Sequence, residues 1–438
     1  HMHRELFTDK YADDRPVGIA YRVGYLLLFM MLFLSSSYQA LKIPVLGFLL
    51  IVLSLRLLMN HGRLRLKPEL FFWYIALTVT GAISQAIGFY HDTPGFSETY
   101  RVYVLYPLIY ILIVESVQST RQLIGVFKVI ILSGIVISLY ILSFVLTKSG
   151  VLPDFMFISL GLNERIGFHE GYVGLNMDSL TSIIYIFPFL YTLMFLPGKE
   201  FKVTNFWRVG IVVGFLLVLL VSMLSGRRSL WVIMLLAVII FFVLSKFVKK
   251  QTRRRGKNKI IKVFKKSIIA LLLIVVSGFV AFQFDLSGQL ILENIAKGFN
   301  SMEDHGASVR SDQFYALISG WIESPIWGAG HGASPDSMMS RIKPWAFELS
   351  YVALLYHAGL MGFFVYFSYI VWIFWKGFII IRSSSVYGFF MLPVLIATFC
   401  FLVANSVNPY LEKFDFMWIV LFLPSVIINQ YYFKEGRS

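Results

Sequence analysis

Six arginines set the chemical question. Arg101, Arg165, Arg227, Arg228, Arg310 and Arg341 stand between long apolar runs, accompanied by a few carboxylates and histidines. Guanidinium is permanently charged and donates in a planar fork, which makes it the favoured partner of phosphate. The same segments add Glu348, the adjacent His169 and Glu170, His331 in WGAGHGA, and Trp321 with Trp327. A carboxylate such as Glu348 can take a proton from a hydroxyl, and an indole can stack on a sugar face or anchor at a membrane surface. Plainer roles stand beside these: Glu348 pairing with an arginine, His331 serving as a turn residue, His357 as a packing residue, and the arginines reaching to lipid head groups.

Other chemistries find no motif. His169 and Glu170 open like a zincin, but the second histidine of that motif is replaced by Val173. The sequence has no Asp-x-Asp pair to hold a divalent ion, no GxxxxGK[ST] loop and no GxSxG elbow. Neither a cofactor nor a metal is therefore expected. The single Cys400 sits in an apolar run and implies no redox work. Arginines gathered without a metal motif suit the neutralisation of a pyrophosphate.

The elements that must carry these side chains are membrane helices. With 58% hydrophobic, 17% aromatic and 14% charged residues over 438 positions, the chain has too little polar surface for a soluble globule. Scanning for runs of about 20 apolar residues predicts an all-α integral membrane protein with about twelve spans. They lie near 17–38, 40–59, 70–90, 100–116, 124–147, 176–196, 208–225, 229–247, 267–286, 349–374, 387–405 and 415–433. The leading HMH reads as a cloning scar, and the apolar segment after it as a span that is retained rather than a cleaved signal.

Lys and Arg fix the expected orientation. With both termini inside, the inner loops hold more than twice the basic residues of the outer loops, and the loop 246–266 alone contributes eleven. That loop reads as a topology anchor touching anionic lipid, so the net charge of +15 is not read as a sign of nucleic acid. Arg227 and Arg228, in SMLSGRRSLW, then fall on the outer side, against the bias of the other loops. Charge at that position is a functional signal unless it merely snorkels to head groups. Two outer segments are long enough for a site: 148–175, and 285–348 between spans nine and ten. The second carries SVRSDQFYALISGWIES, where Val309, Phe314, Leu317, Ile318 and Trp321 recur at helical spacing and predict a short interfacial helix.

Three stretches then resemble one family. LSGRRSLW, NERIGFHEGYVGLNMDSLTSIIYIFPFLY, and RSDQFYALISGWIESPIWGAGHGA followed by PWAFELSYVALLYHAGLMG are similar to the O-antigen polymerase and O-antigen ligase superfamily. The resemblance implies a GT-C-like membrane glycosyltransferase whose donor is an undecaprenyl-pyrophosphate-linked oligosaccharide. Its acceptor would be another lipid-linked repeat unit in the polymerases, or lipid A core in the ligases. It also implies a bacterial inner-membrane location, an extracytoplasmic site and, for polymerases, a separate chain-length regulator protein. The family's hairpin arginine falls on Arg227 or Arg228, its loop arginine on Arg310, its Arg-x-Gly element on Arg165 and Gly167, and its Pro-x-x-Gly-x-Gly turn on Pro325, Gly328 and Gly330. Where ligases carry His-Asn-x-x-Leu, this chain has Phe347, Glu348, Leu349, Ser350 and Tyr351, which points to the polymerase branch.

On that reading Glu348, Arg228 and Arg310 are the catalytic expectation. Arg227, Arg165, Arg101, His169, Glu170, His331 and Trp321 are expected to hold pyrophosphate or glycan, within a partner environment of membrane lipid. A polysaccharide flippase or other secondary transporter stays open as the rival class. It would place more charge at mid-membrane, where the sequence shows Arg22, Arg56 and Lys128.

Overall fold

The computed structural model describes residues 15–169, 172–196, 205–248, 305–339 and 343–434. The chain is mostly helical, a multi-pass membrane architecture, and among the described residues seven helices are long and apolar enough to cross a bilayer. In chain order the helices are α1 (Arg15–Phe33), α2 (Gln39–Met59), α3 (Pro68–Tyr90), α4 (Phe96–Tyr100) and α5 (Tyr106–Ile113), the last two joined by a π turn, Arg101–Leu105. Next come α6 (Thr120–Lys148), α7 (Leu180–Phe195), α8 (Asn205–Leu224), α9 (Arg228–Ser245) and α10 (His305–Glu323). The last four are α11 (Ser350–Ser383), α12 (Ser385–Asn405), α13 (Phe414–Leu421) and α14 (Leu423–Lys434). The expected span 267–286, nearly all of the basic loop 246–266 and the first part of the segment 285–348 lie outside the described residues.

Local chemistry sets several boundaries. Ser119 and Gln122 form a reciprocal capping box that starts α6, and Pro68 at the first position of α3 suits a helix start. The core is built around α7 and α12, which pack on each other, with α13 and α14 alongside. In α7 every residue but Met194 is buried. By contrast α2 and α8 leave large apolar residues such as Phe48, Ile51, Val209 and Leu216 exposed, the surface that a lipid-facing helix presents.

The expectation of an all-α chain needs one correction. Arg165–His169 and Tyr172–Asn176 form a two-stranded antiparallel hairpin, with Arg165 opposite Asn176 and Ile166 opposite Leu175. The alternation of Ile166, Phe168, Val173 and Leu175 is a strand pattern with a period of two, short enough to pass unnoticed between two long apolar runs.

The largest irregularity lies in α11, which is broken at Gly359 (φ 63°, ψ −172°). The break frees carbonyls on one side and N–H groups on the other, and the segment 325–330 satisfies both sets. Ala329 and Gly330 donate to the carbonyls of Tyr356 and His357 (both 2.9 Å), while Leu360 and Met361 donate to those of Pro325 and Ile326 (2.9 and 3.1 Å). Gly330 has φ 91° and lies so close to α3 that a Cβ would strike the backbone of Gly88. Only glycine combines that φ with that approach.

Candidate functional site

A short loop between α12 and α13, residues 406–413, gathers the groups that the sequence scatters. Asn405, buried at the end of α12, accepts from the N–H of Leu411 (2.9 Å) and shapes the single turn Tyr410–Glu412. Tyr410 lies within electrostatic reach of Arg227, Arg310 and Glu348. Burial and Glu348 push its phenol above the ordinary range, while the two guanidiniums oppose that shift. Residues 227, 310, 348 and 410 thus come from four separate elements to one polar end of the bundle.

Two of the expected residues are joined directly. Arg310 Nε donates to Glu348 Oε2 at 2.8 Å, and both side chains remain more than a third exposed. The pair is set by packing of α10 against α11, and the buried Gln313 on α10 accepts from the N–H of Glu348 (2.9 Å). The buried line of α10 runs through Gln313 and Leu317, whereas Phe314 faces outward. The helix predicted over this segment therefore exists, but with Gln313 buried where an apolar stripe was read through Phe314.

Arg227 is placed by the turn between α8 and α9, where Gly226 takes φ 65°. Its guanidinium donates to the carbonyl of Leu175 (3.3 Å) and to Asn176 Oδ1 (3.1 Å), and Leu175 donates in turn to the carbonyl of Ser225 (3.0 Å). The β-hairpin is thereby fastened to the α8–α9 turn. Arg165 is exposed on the strand opposite Asn176, and Arg101 is exposed beside Tyr106. Arg228 opens α9 and His169 ends the first strand, but their side chains, like Glu170 and Arg341 altogether, lie outside the described residues.

His331 lies apart from this cluster and is fully buried in the glycine turn. Its ring stacks on Tyr103 (centroids 3.7 Å apart, 8° between planes), and neither ring nitrogen has a partner among the described residues. Burial and the neighbouring His357 hold its imidazole well below the ordinary range, so it is neutral. His357 Nε2 meets the carbonyl of Ala333 at 3.0 Å, a packing role. Trp321 donates its indole N–H to the carbonyl of Pro325 (3.0 Å), so it supports the segment inserted into α11, and the neighbouring Trp327 is half exposed.

Sequence reading missed the hub itself. NPYLEKFDF was passed over because it is short and flanked by two apolar runs, yet it supplies Tyr410, Glu412 and Asp415. Asp415 is completely buried, with Lys42 Nζ 2.7 Å from both oxygens, Gln39 Nε2 at 3.1 Å and the N–H of Ser36 at 2.8 Å. Lys42, at the start of a predicted span, therefore joins the interior charges, as does Glu115 beside Arg56. A carboxylate inside an apolar run was the available signal. Neither a protein-family model nor a curated protein matches the chain.

Proposed function

We propose that the chain is a bacterial inner-membrane glycosyltransferase with about twelve spans, a GT-C-like enzyme of the O-antigen polymerase and ligase superfamily. It transfers an undecaprenyl-pyrophosphate-linked glycan to another lipid-linked repeat unit on the extracytoplasmic side. The observation that carries this reading is the convergence of Arg227, Arg310 and Glu348 around Tyr410. Two guanidiniums and one carboxylate lie within reach of that phenol, at the end of the bundle where α9 begins.

The charge balance supports an anionic ligand. A helix N-terminus carries partial positive charge and normally attracts acidic residues, yet α9 has none in its first turn and opens with Arg227 and Arg228. A pyrophosphate leaving group gains negative charge as its bond to the sugar C1 lengthens. Fixed guanidiniums at the edge of the bilayer stabilise that charge without the reorganisation that water requires. Arg310 is held in place by Glu348, Arg227 by the β-hairpin, and Arg165 and Arg101 lie exposed at the same end. Lipid A core as acceptor, in place of a second repeat unit, is the ligase alternative.

The test uses cells lacking the native gene, complemented with wild type, Arg227→Ala, Arg228→Ala or Arg310→Ala at equal membrane levels, with surface glycan resolved by gel. Collapse of the ladder to a single capped repeat is the expected result. Accumulation of long lipid-linked chains without transfer to the core identifies a ligase. Wild-type ladders from all three variants would refute the reading and return attention to transport.

A further inference from the structure

We propose that Asn176 is the positioning residue of Arg227: through it the β-hairpin aims the guanidinium at an incoming phosphate and leaves its charge uncancelled. The inference rests on the transferase reading above and adds to it the residue that orients one arginine, and the reason that residue is an amide.

The hairpin engages one edge of the guanidinium. Arg227 Nε donates to the carbonyl of Leu175 (3.3 Å) and Nη2 to Asn176 Oδ1 (3.1 Å), so two adjacent residues of one strand take the side-on edge. Nη1 has no partner among the described residues, which leaves the far edge for a ligand. That strand is itself tied down, because the N–H of Leu175 donates to the carbonyl of Ser225 (3.0 Å), two residues before Arg227. A planar fork held along one edge has its other edge fixed in direction as well.

The two faces of the hairpin divide the work. Leu175 is buried and Ile166, opposite it, packs on the core, whereas Arg165 and Asn176, opposite each other, are exposed. Directly opposed residues share a face with Cβ atoms about 5 Å apart, so Arg165 stands beside the amide that holds Arg227. The next pair on that face is Gly167 opposite Gly174, which leaves the backbone bare next to the two arginines. An aspartate at position 176 could hold Arg227 equally well, but it would cancel charge there as Glu348 does at Arg310. An amide orients without cancelling, and no carboxylate among the described residues pairs with Arg227.

The experiment follows chain growth in proteoliposomes against the concentration of the lipid-linked repeat unit extracted from cells that lack the gene. Variants are matched for membrane level, and their melting temperatures are measured alongside. Arg227→Ala should lose about 100-fold or more. Asn176→Ala, which releases the guanidinium, should lower kcat about tenfold or more with KM little changed. Asn176→Asp, which keeps the acceptor and adds a charge, should hold kcat and raise KM about tenfold, the scale of one hydrogen bond to a charged group. Added to Arg227→Ala, Asn176→Ala should cost nothing further, as a residue acting through Arg227 must. Wild-type kinetics in either Asn176 variant, equal losses in both with a lowered melting temperature, or a full second loss in the double variant each overturn the proposal and leave the transferase reading intact. Full activity in both Arg227→Ala and Arg310→Ala, or no chain growth from wild type, removes both.

Discussion

The two polar ends of the bundle treat charge in opposite ways. Where α2 ends and α3 begins, Arg56 meets Glu115 (3.6 Å) and donates to its backbone carbonyl (3.0 Å). Asn429 and Gln430 stitch α14 to the carbonyls of Arg65 and Val117. Around Tyr410, at the other end, Arg310 pairs with Glu348 while Arg227 meets only the neutral Leu175 carbonyl and Asn176, and the Arg310 pair stays open to solvent. Charge that is matched and enclosed holds helices together, while charge left in excess at an open surface is placed for something that arrives. The distinction also runs within the second end, where Lys42 and Asp415 are matched and enclosed beneath the arginines.

That contrast breaks if matched and excess charges respond alike to substitution. Asp415→Ala, which strands Lys42 in the interior, should cost about 3–5 kcal/mol of stability, read as a lowered melting temperature in detergent. Arg310→Ala should leave that temperature nearly unchanged while chain growth falls about 100- to 1000-fold, the scale of losing one preorganised donor. If Arg310→Ala melts early as well, its pair with Glu348 is structure, and the contrast fails.

Finer tests sharpen it. Gly330→Ala should destabilise by about 1–3 kcal/mol, because a side chain would be strained at φ 91° and would strike α3. Glu412 is held above its unfolded value of 4.5, so its contribution to stability is intact below that pH and declines as pH rises through about 8. Melting temperature should therefore fall over this window in wild type and less steeply in Glu412→Gln. Lys376→Ala, which removes a pair whose Glu69 side is largely exposed, should cost no more than about 1 kcal/mol. Thermal melts of the three variants check these outcomes.

How far the sequence could be read follows from what each feature depends on. Apolar length is a local property, so helices occur along most of the predicted runs, and the tight α1–α2 and α8–α9 turns were visible as short gaps. The importance of Arg310 and Glu348 was legible in residue type, because a guanidinium and a carboxylate both stood in the long segment 285–348 between two apolar runs. Tyr410 was not, since its relevance comes from α12 and α13 carrying a short loop beneath residues 227 and 310. Nor could the partner of the Gly359 break be read. The glycines of WGAGHGA announce a turn, but only the folded bundle shows that its N–H groups replace the missing ladder of α11.

That inserted turn also constrains how the protein is made. Until residues 325–330 arrive, α11 offers bare carbonyls at Tyr356 and His357 and bare N–H groups at Leu360 and Met361, which hydrocarbon cannot satisfy. His331 likewise relies on α3 and the turn after it, donating its N–H to the carbonyl of Ser84 (3.0 Å) and accepting Thr93 Oγ1 on its own carbonyl (2.9 Å). A ribosome feeding this chain into the bilayer therefore delivers a span that is incomplete on exit, and its final seating waits until a segment synthesised earlier folds back onto a helix inserted near the start.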